Sequence, residues 1–225
     1  MRLFLRSIRG QVVLFCFVLQ LFFFISAAAA RADDTVFYNK DMLRCEVGKG
    51  LTASIEKGFF LSKNIQELTQ QYLEAGLSRK CTPWLSYSLN YRKTVYKSGG
   101  GWFEEDRSHA AITLAALMGR VRLEDRNRLE YRAFSQPGKH SAWRYRNYLK
   151  FQFPLRSGLV PYVGDEFFLE NGNFNQNRVY AGITASPARF LEAEAYFARV
   201  STRSGGAPWQ NDNWIGLNLR FTFRF

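Results

Sequence analysis

The sequence lacks the long apolar segments of a helical membrane protein. Beyond the first 32 residues, no segment approaches the ~20 continuous apolar residues that a transmembrane helix needs. The mean hydropathy of −0.25 is also too low for a bundle of such helices. Metal-ligand spacings, phosphate-binding loops and nucleotide fingerprints are absent too, and the chain has only two histidines. We therefore exclude a helical membrane protein and predict neither a cofactor nor a metal site.

The first 32 residues have the features of a cleaved secretory signal peptide. Three arginines precede a short apolar run at 12–25, and Ala30-Arg31-Ala32 fits a small-x-small cleavage site. An N-terminal membrane anchor is the alternative, although the run is short for a full span. We predict a signal peptide at 1–32 and one mature domain at 33–225.

Net charge narrows the choice of partners. The formal charge of +12 is strongly basic and could indicate nucleic-acid binding in a cytosolic protein. Export by a signal peptide argues against nucleic acid. Anionic lipopolysaccharide and a charged interior remain as reasons for the basic excess.

The end of the sequence alternates strictly between apolar and polar residues. From Trp214 to Phe225 every second residue is apolar, which predicts a strand with two different faces. A soluble protein rarely exposes such a flat apolar edge, whereas a transmembrane β-barrel needs this alternation. A closing strand that ends in Phe225 resembles the sorting signal of bacterial outer-membrane barrels, which implies the barrel-assembly machinery as a partner.

The alternation continues through the mature chain and predicts an all-β, antiparallel transmembrane barrel of about ten strands. We place these strands at 43–61, 67–79, 84–97, 107–118, 121–134, 141–153, 158–169, 176–184, 189–201 and 212–225. Val47–Gly50 could instead be a turn, which would give eleven strands. We interpret it as a glycine bulge in one long first strand, because two periplasmic termini require an even count. Twelve strands, with Val36–Tyr38 added, is the fallback.

Connection lengths alternate after the first predicted hairpin. The short connections lie at 80–83, 119–120, 154–157 and 185–188. The longer ones lie at 98–106, 135–140, 170–175 and 202–211. Outer-membrane barrels have short periplasmic turns and longer outer loops, so we expect the second set to face outward.

One face of the predicted strands is apolar and the other is charged. The apolar face includes Leu73, Leu77, Leu89, Leu129, Trp143, Val179, Ile183 and Phe197. We expect it to contact lipid; in a water-soluble barrel or sandwich, the alternative, it would point inward. Asp125 and Asp165 also fall on this face, which indicates a bulge or a position near an interface.

The charged face is expected to line the barrel interior. An arginine or lysine facing acyl chains at the membrane midplane costs ~2–4 kcal/mol, whereas paired charges satisfy one another in a narrow lumen. The predicted lumen network is Arg126, Arg128, Glu130, Arg132, Arg144, Arg146, Glu166 and Arg178. We favour a network that fills the barrel over a basic pore or an anion-selective path.

Four segments carry a family resemblance. RLEDRNRLEYR, WRYRNYLKFQFPL, PYVGDEFF and NRVYAGI occur in this order before the closing strand. They resemble the outer-membrane barrels called domain of unknown function 2490, over about residues 43–225. The resemblance implies a small bacterial outer-membrane β-barrel with no assigned activity.

A weak catalytic arrangement is also present. Both histidines have a serine neighbour, in Ser108-His109 and His140-Ser141, and both pairs are predicted at outer strand ends. A Ser/His pair could serve a lipid-modifying hydrolase at the barrel rim. Sequence neighbours point to opposite faces of a strand, however, so we favour a non-enzymatic protein.

Two cysteines remain once Cys16 leaves with the signal peptide. Counting outward from a hairpin turn at 62–66 brings Cys45 opposite residues 81–83. An oxidising compartment favours pairing, so we predict a Cys45–Cys81 disulfide, with two unpaired thiols as the alternative.

The sequence therefore predicts a bacterial outer-membrane barrel surrounded by lipid and lipopolysaccharide. Its favoured role is structural or transport-related, with an unassigned substrate. A lipid-modifying rim enzyme and an outer-loop binding scaffold remain the alternatives.

Overall fold

The computed structural model describes residues 32–224 and is a closed barrel of eleven strands. The strands are β1 (Asp34–Gly48), β2 (Leu51–Ser62), β3 (Glu67–Lys80), β4 (Leu85–Ser98), β5 (Gly101–Met118), β6 (Val121–Phe134), β7 (Ala142–Gln152), β8 (Val160–Glu170), β9 (Asn173–Ala188), β10 (Leu191–Thr202) and β11 (Gln210–Arg224). Apart from Ala32, the predicted signal peptide lies outside the described residues, and so does Phe225. No helix among residues 32–224 is long and apolar enough to cross a membrane.

The barrel closes through a parallel pair. Each strand from β1 to β11 pairs antiparallel with the next in sequence, and β1 pairs parallel with β11 from Asp34↔Asp212 to Glu46↔Arg224. With an odd number of strands, β1 begins at one end of the barrel and β11 finishes at the other. We name these the N-terminal end and the C-terminal end. The predicted count of ten strands, with both termini on one side, is wrong.

The error lies at the first hairpin. β1 ends at Gly48 and β2 begins at Leu51, so the segment interpreted as a bulge is a tight turn. Gly50 has φ +72°, a left-handed conformation that side chains rarely adopt, and a Cβ there would lie 2.6 Å from the carbonyl oxygen of Lys80. The twelve-strand fallback is wrong as well, because Val36–Tyr38 belong to β1 itself.

Connection lengths alternate less than predicted. β5 and β9 begin earlier than expected, so the long connections predicted at 98–106 and 170–175 are two-residue turns at Gly99–Gly100 and 171–172. The longer connections are at 135–141 and 203–209 on the N-terminal end and at 153–159 on the C-terminal end. Loop length therefore gives little information on orientation.

A belt of apolar side chains covers the outer surface. The predicted outward residues Leu73, Leu89 and Leu129 are 58%, 64% and 50% exposed. Other exposed members of the apolar belt are Leu43, Ile55, Leu77, Ile112, Trp143, Val179 and Leu217. The buried charges lie on the opposite parity, so the barrel is apolar outside and polar inside.

Inward tyrosines cover inward glycines of the neighbouring strands. Gly182 lies opposite both Tyr162 and Tyr196, and a Cβ on Gly182 would lie 2.7 Å from the Tyr162 ring. The same arrangement places Tyr72 over Gly58, Tyr148 over Gly164 and Tyr196 over Gly216. These rings fill the space that the glycines leave and thicken the wall of the lumen.

Asp125 and Asp165, which the two-residue period places on the apolar face, point outward in the structure. Asp125 lies opposite Leu114 and Leu149 in a regular register, so no bulge moves it inward. Asn147 donates hydrogen bonds to Asp125 Oδ1 at 2.5 Å and to Asn127 Oδ1 at 3.2 Å. Asn177 donates to Asp165 at 2.8 Å in the same way. Small amide–carboxylate clusters therefore interrupt the apolar surface.

Candidate functional site

The lumen contains a cavity of about 1110 Å³ that reaches both ends of the barrel. Its lining includes Asp34 at the N-terminal end and Arg44 and Arg220 towards the C-terminal end. All eight residues of the predicted lumen network point inward. Five of its six arginines, all except Arg132, lie within 4.0 Å of Glu130 or Glu166.

Glu130 is the most enclosed charge of the network and has no exposed surface. It lies on β6 opposite Arg144, whose Nη2 is 2.5 Å from Glu130 Oε2. Arg146 Nη1 lies 2.9 Å from Oε1, and Arg128 Nη1 lies 3.4 Å from the same oxygen. A buried carboxylate is tolerated only when it is paired, and here several guanidinium groups surround it.

Glu166 is the second centre, on β8. Arg146 Nη2 lies 2.7 Å from Glu166 Oε1 and thereby links the two carboxylates. Arg126 approaches to 3.4 Å and Arg178 to 3.9 Å. The Tyr180 hydroxyl donates to Oε2 at 3.0 Å.

Glu105 extends this network towards the N-terminal end. Arg132 donates to both of its carboxylate oxygens at 2.9 Å, a bidentate geometry that favours arginine over lysine. Arg107 Nη2 lies 2.7 Å from Glu105, and Arg132 also pairs with Glu170. Sequence reasoning missed Glu105 as a lumen residue, because it placed residues 98–106 in a loop.

These three centres form one group, which we call the arginine cluster. It consists of Arg107, Arg126, Arg128, Arg132, Arg144, Arg146 and Arg178 with Glu105, Glu130, Glu166 and Glu170. Its members come from the wall between β5 and β9.

A second group lies on β2 to β5 and was also missed. Arg92 Nε lies 2.5 Å from Glu74, its Nη2 lies 3.1 Å from Glu56, and its guanidinium stacks 3.7 Å over the Tyr72 ring. His109 Nε2 lies 3.2 Å from Glu74. Leu89 faces outward, so the two-residue period of β4 places Arg92 in the lumen. Sequence reasoning missed it because β4 has isolated charges, whereas β6 and β7 have a charge at almost every second position.

A third group lies towards the C-terminal end. Lys150 Nζ is 3.0 Å from Glu194 and 3.6 Å from the centre of the Tyr162 ring. Asn218 donates to Glu194 at 2.6 Å, and Arg220 pairs with Glu192 on the neighbouring strand.

The structure does not bring the candidate catalytic residues together. β5 begins at Gly101, so His109 lies in mid-strand rather than at an outer end, and its buried ring faces the lumen. Ser108 faces the outer surface, on the other side of the barrel wall. His140 and Ser141 are exposed in the connection between β6 and β7. The barrel wall therefore separates Ser108 from His109, and no hydrogen bond joins a serine to a histidine among the described residues.

Cys45 and Cys81 are both free in the structure, so the predicted disulfide is absent. Cys45 lies on β1 opposite Ala53 of β2, which in turn lies opposite Leu77 of β3. Cys81 follows the end of β3. The prediction failed because the turn at Gly50 inserts β2 between the two cysteines.

The described residues contain no group of three or more histidine, cysteine, aspartate or glutamate side chains that could hold a metal ion. The polar interior is built from arginine–glutamate pairs instead.

Two solved structures are similar to this chain at low identity. LpxR from Salmonella typhimurium has a TM-score of 0.47 and 10% identity, over 76% of this chain and 83% of its own. An anion-selective porin from Comamonas acidovorans has a TM-score of 0.41 and 11% identity, over 77% of this chain and 53% of its own. No curated protein sequence matches the chain. At these values neither structure bears on the activity of this chain.

The family resemblance of the charged segments is confirmed. A family model matches residues 37–212, a range that contains the whole arginine cluster. The chain belongs to the family described as protein of unknown function (DUF2490).

Proposed function

We propose that this chain is a bacterial outer-membrane β-barrel with a structural or transport-related role. The observation that carries the proposal is the apolar belt around a closed barrel whose charges face inward. In water such a belt would be an aggregation hazard, whereas in a bilayer it is the surface that lipid requires. Outer-membrane lipid and lipopolysaccharide are the proposed surroundings, with export through the predicted signal peptide.

The lumen is proposed to admit small solutes. The ion pairs of the arginine cluster occupy the wall from β5 to β9, and the cavity of about 1110 Å³ runs beside them with residues of both rims in its lining. We therefore propose a lumen that side chains fill only in part, in place of the expected filled lumen. Ionic conductance of the purified barrel in a planar bilayer measures whether this cavity is a passage.

Hydrolase chemistry is not part of this proposal, because Ser108 and His109 lie on opposite sides of the wall. Assembly through the closing strand is part of it, with Phe225 as the proposed sorting residue.

Adjacent residues on β4 test the membrane location. Leu89 is exposed on the outer belt, whereas Ser88 lines the cavity. An arginine on the lipid face costs ~2–4 kcal/mol near the midplane and far less inside the lumen. We expect Leu89→Arg to lose outer-membrane insertion and heat-modifiable mobility on gels, and Ser88→Arg to retain both. Equal insertion of the two variants would contradict the membrane proposal.

A further inference from the structure

The arginine cluster carries more positive charge than its carboxylates neutralise. It contains seven arginines and four glutamates, an excess of three cations. The other two groups balance: Lys40 and Arg92 face Glu56 and Glu74, and Lys150 and Arg220 face Glu192 and Glu194. Among the ion-paired groups of the lumen, the excess of cations therefore lies on the wall between β5 and β9. Arg44 also lines the cavity, towards the C-terminal end, but belongs to none of these groups.

Three of these arginines are poorly satisfied. Arg126 and Arg128 each approach a carboxylate only to 3.4 Å, and Arg178 only to 3.9 Å, although Arg178 Nη2 also donates to Gln176 Oε1 at 3.2 Å. Charge-assisted hydrogen bonds normally measure ~2.7–2.9 Å. The Nε atoms of Arg128 and Arg178 are buried and have no hydrogen-bond partner among the described residues. An unsatisfied buried donor is costly, so these positions call for an acceptor.

The three side chains converge on one part of the cavity. Arg126 and Arg128 lie two residues apart on β6, and Arg178 reaches the same carboxylate, Glu166, as Arg126. All three line the cavity. Arg178 is held from two sides, with its guanidinium 4.6 Å from the centre of the Phe168 ring and 4.4 Å from that of Trp214. Arg128 also lies opposite Arg146 in the register, and these two guanidinium groups share a single carboxylate oxygen, Glu130 Oε1.

We propose that Arg126, Arg128 and Arg178 form an anion site in the lumen that binds a phosphate group. A phosphate brings up to two negative charges and several acceptor oxygens, which matches the local excess of cations and the unused guanidinium donors. A carboxylate ligand would supply one charge and fewer acceptors. This inference goes beyond the proposed function and requires only the folded barrel. Its test is therefore independent of the membrane location and of solute passage through the lumen.

The phosphate could be free in solution or carried by a lipid headgroup. The test uses the full barrel, purified in a detergent without phosphate. Binding of inorganic phosphate is measured by calorimetry and by thermal unfolding, at constant ionic strength maintained with chloride. A parallel arm uses lipopolysaccharide. Saturable binding of inorganic phosphate assigns the free ion, and stabilisation by lipopolysaccharide alone assigns a lipid-borne phosphate.

Arg128→Gln and Arg178→Gln are the test variants, and Arg122→Gln is the matched control. Arg122 lies on the same face of β6 but is 54% exposed near the C-terminal end. We expect each test variant to weaken phosphate binding at least tenfold and the control to bind like the wild type. We also expect Arg128→Gln without phosphate to unfold at or above the wild-type temperature, because it lowers the local excess of cations while Glu130 keeps its closer partners Arg144 and Arg146. Absence of saturable binding in both arms, or unchanged binding in both test variants, would overturn the site.

Discussion

Glu130 shows what a buried charge requires in this barrel. It is fully enclosed, and it lies on β6 between Arg107 of β5, at 4.0 Å, and Arg144 of β7. Arg144 and Arg146 approach it to 2.5 and 2.9 Å, far closer than Arg128 does. The cluster is thus organised around its few carboxylates, and removing Glu130 leaves Arg128 and Arg144 without a carboxylate partner.

We therefore expect Glu130→Gln to lower the unfolding temperature of the barrel in detergent. Breaking a buried ion pair by removing one partner typically costs ~3–5 kcal/mol. The matched control is Glu104→Gln, which removes a half-exposed pair with Lys93 on the outer surface. Exposed pairs contribute ~0–1 kcal/mol, so the control should change little. Thermal unfolding followed by tryptophan fluorescence compares the two, and equal stability would mean that the lumen charges are solvated.

Residue parity made most of the lumen cluster predictable. On β6 and β7 the charges recur at every second position, so six of the eight predicted lumen residues follow from the two-residue period of these two strands. Glu105 could not be found in this way, because the sequence pattern places residues 98–106 in a loop. A single charge such as Arg92 needs the register of its neighbours to identify its partners.

At the scale of single strands, tyrosine–glycine pairs determine how closely the walls pack. Gly182 lies between Tyr162 and Tyr196 of the two adjacent strands, and an added Cβ would lie 2.7 Å from the Tyr162 ring and 2.7 Å from Tyr196 Cβ. We expect Gly182→Val to destabilise the barrel by ~1–3 kcal/mol through overpacking. Gly206→Val is the control, since nothing lies within 4 Å of a Cβ at that loop position. A Gly182→Val barrel with unchanged thermal stability would show that the tyrosines can move aside.

The outward polar pair on β6 and β7 makes a second prediction about strands. Asp125 and Asn147 satisfy each other, but they replace apolar groups on a surface proposed to face lipid. Replacing both partners of a hydrogen bond by apolar groups is neutral or favourable, whereas removing one leaves the other unsatisfied.

We expect the double variant Asp125→Leu/Asn147→Leu to unfold at a higher temperature in detergent, by roughly 1–3 kcal/mol. The single variant Asn147→Leu should be less stable than the double variant. Size-exclusion chromatography is run in parallel. A lower unfolding temperature together with a smaller particle would indicate that this patch holds a protein contact instead of lipid.

At the scale of the whole barrel, the strand count depends on how the first and last strands pair. Local periodicity predicts where strands run, and the positions from β3 to β11 follow it to within a few residues, apart from the earlier starts of β5 and β9. The pairing of β1 with β11 is a contact between distant parts of the chain, which local pattern does not encode. The assumption of an even strand count therefore led to the interpretation of the Gly50 turn as a bulge. It also led to the wrong register between Cys45 and Cys81.

The odd count makes a specific prediction about topology. If the C-terminal end of β11 faces the periplasm, as its proposed sorting role requires, the start of β1 and the connections at 135–141 and 203–209 face the cell exterior. The reporters are single cysteines at the exposed positions His140 and Ser204, in a background with Cys45→Ser and Cys81→Ser. Exposed Ser157 and Arg189, at the C-terminal end, serve as matched positions.

An impermeant thiol reagent applied to whole cells should label His140→Cys and Ser204→Cys, and should label Ser157→Cys and Arg189→Cys only after the outer membrane is disrupted. A tag placed directly before Asp33 should be accessible on whole cells too, because β1 begins at the same end of the barrel as these two connections. A ten-stranded barrel would instead keep that tag in the periplasm. Suppose that the four cysteines are labelled as expected but the tag stays protected on whole cells. That result would contradict the parallel pairing of β1 with β11, and it would leave the orientation of the other strands unchanged.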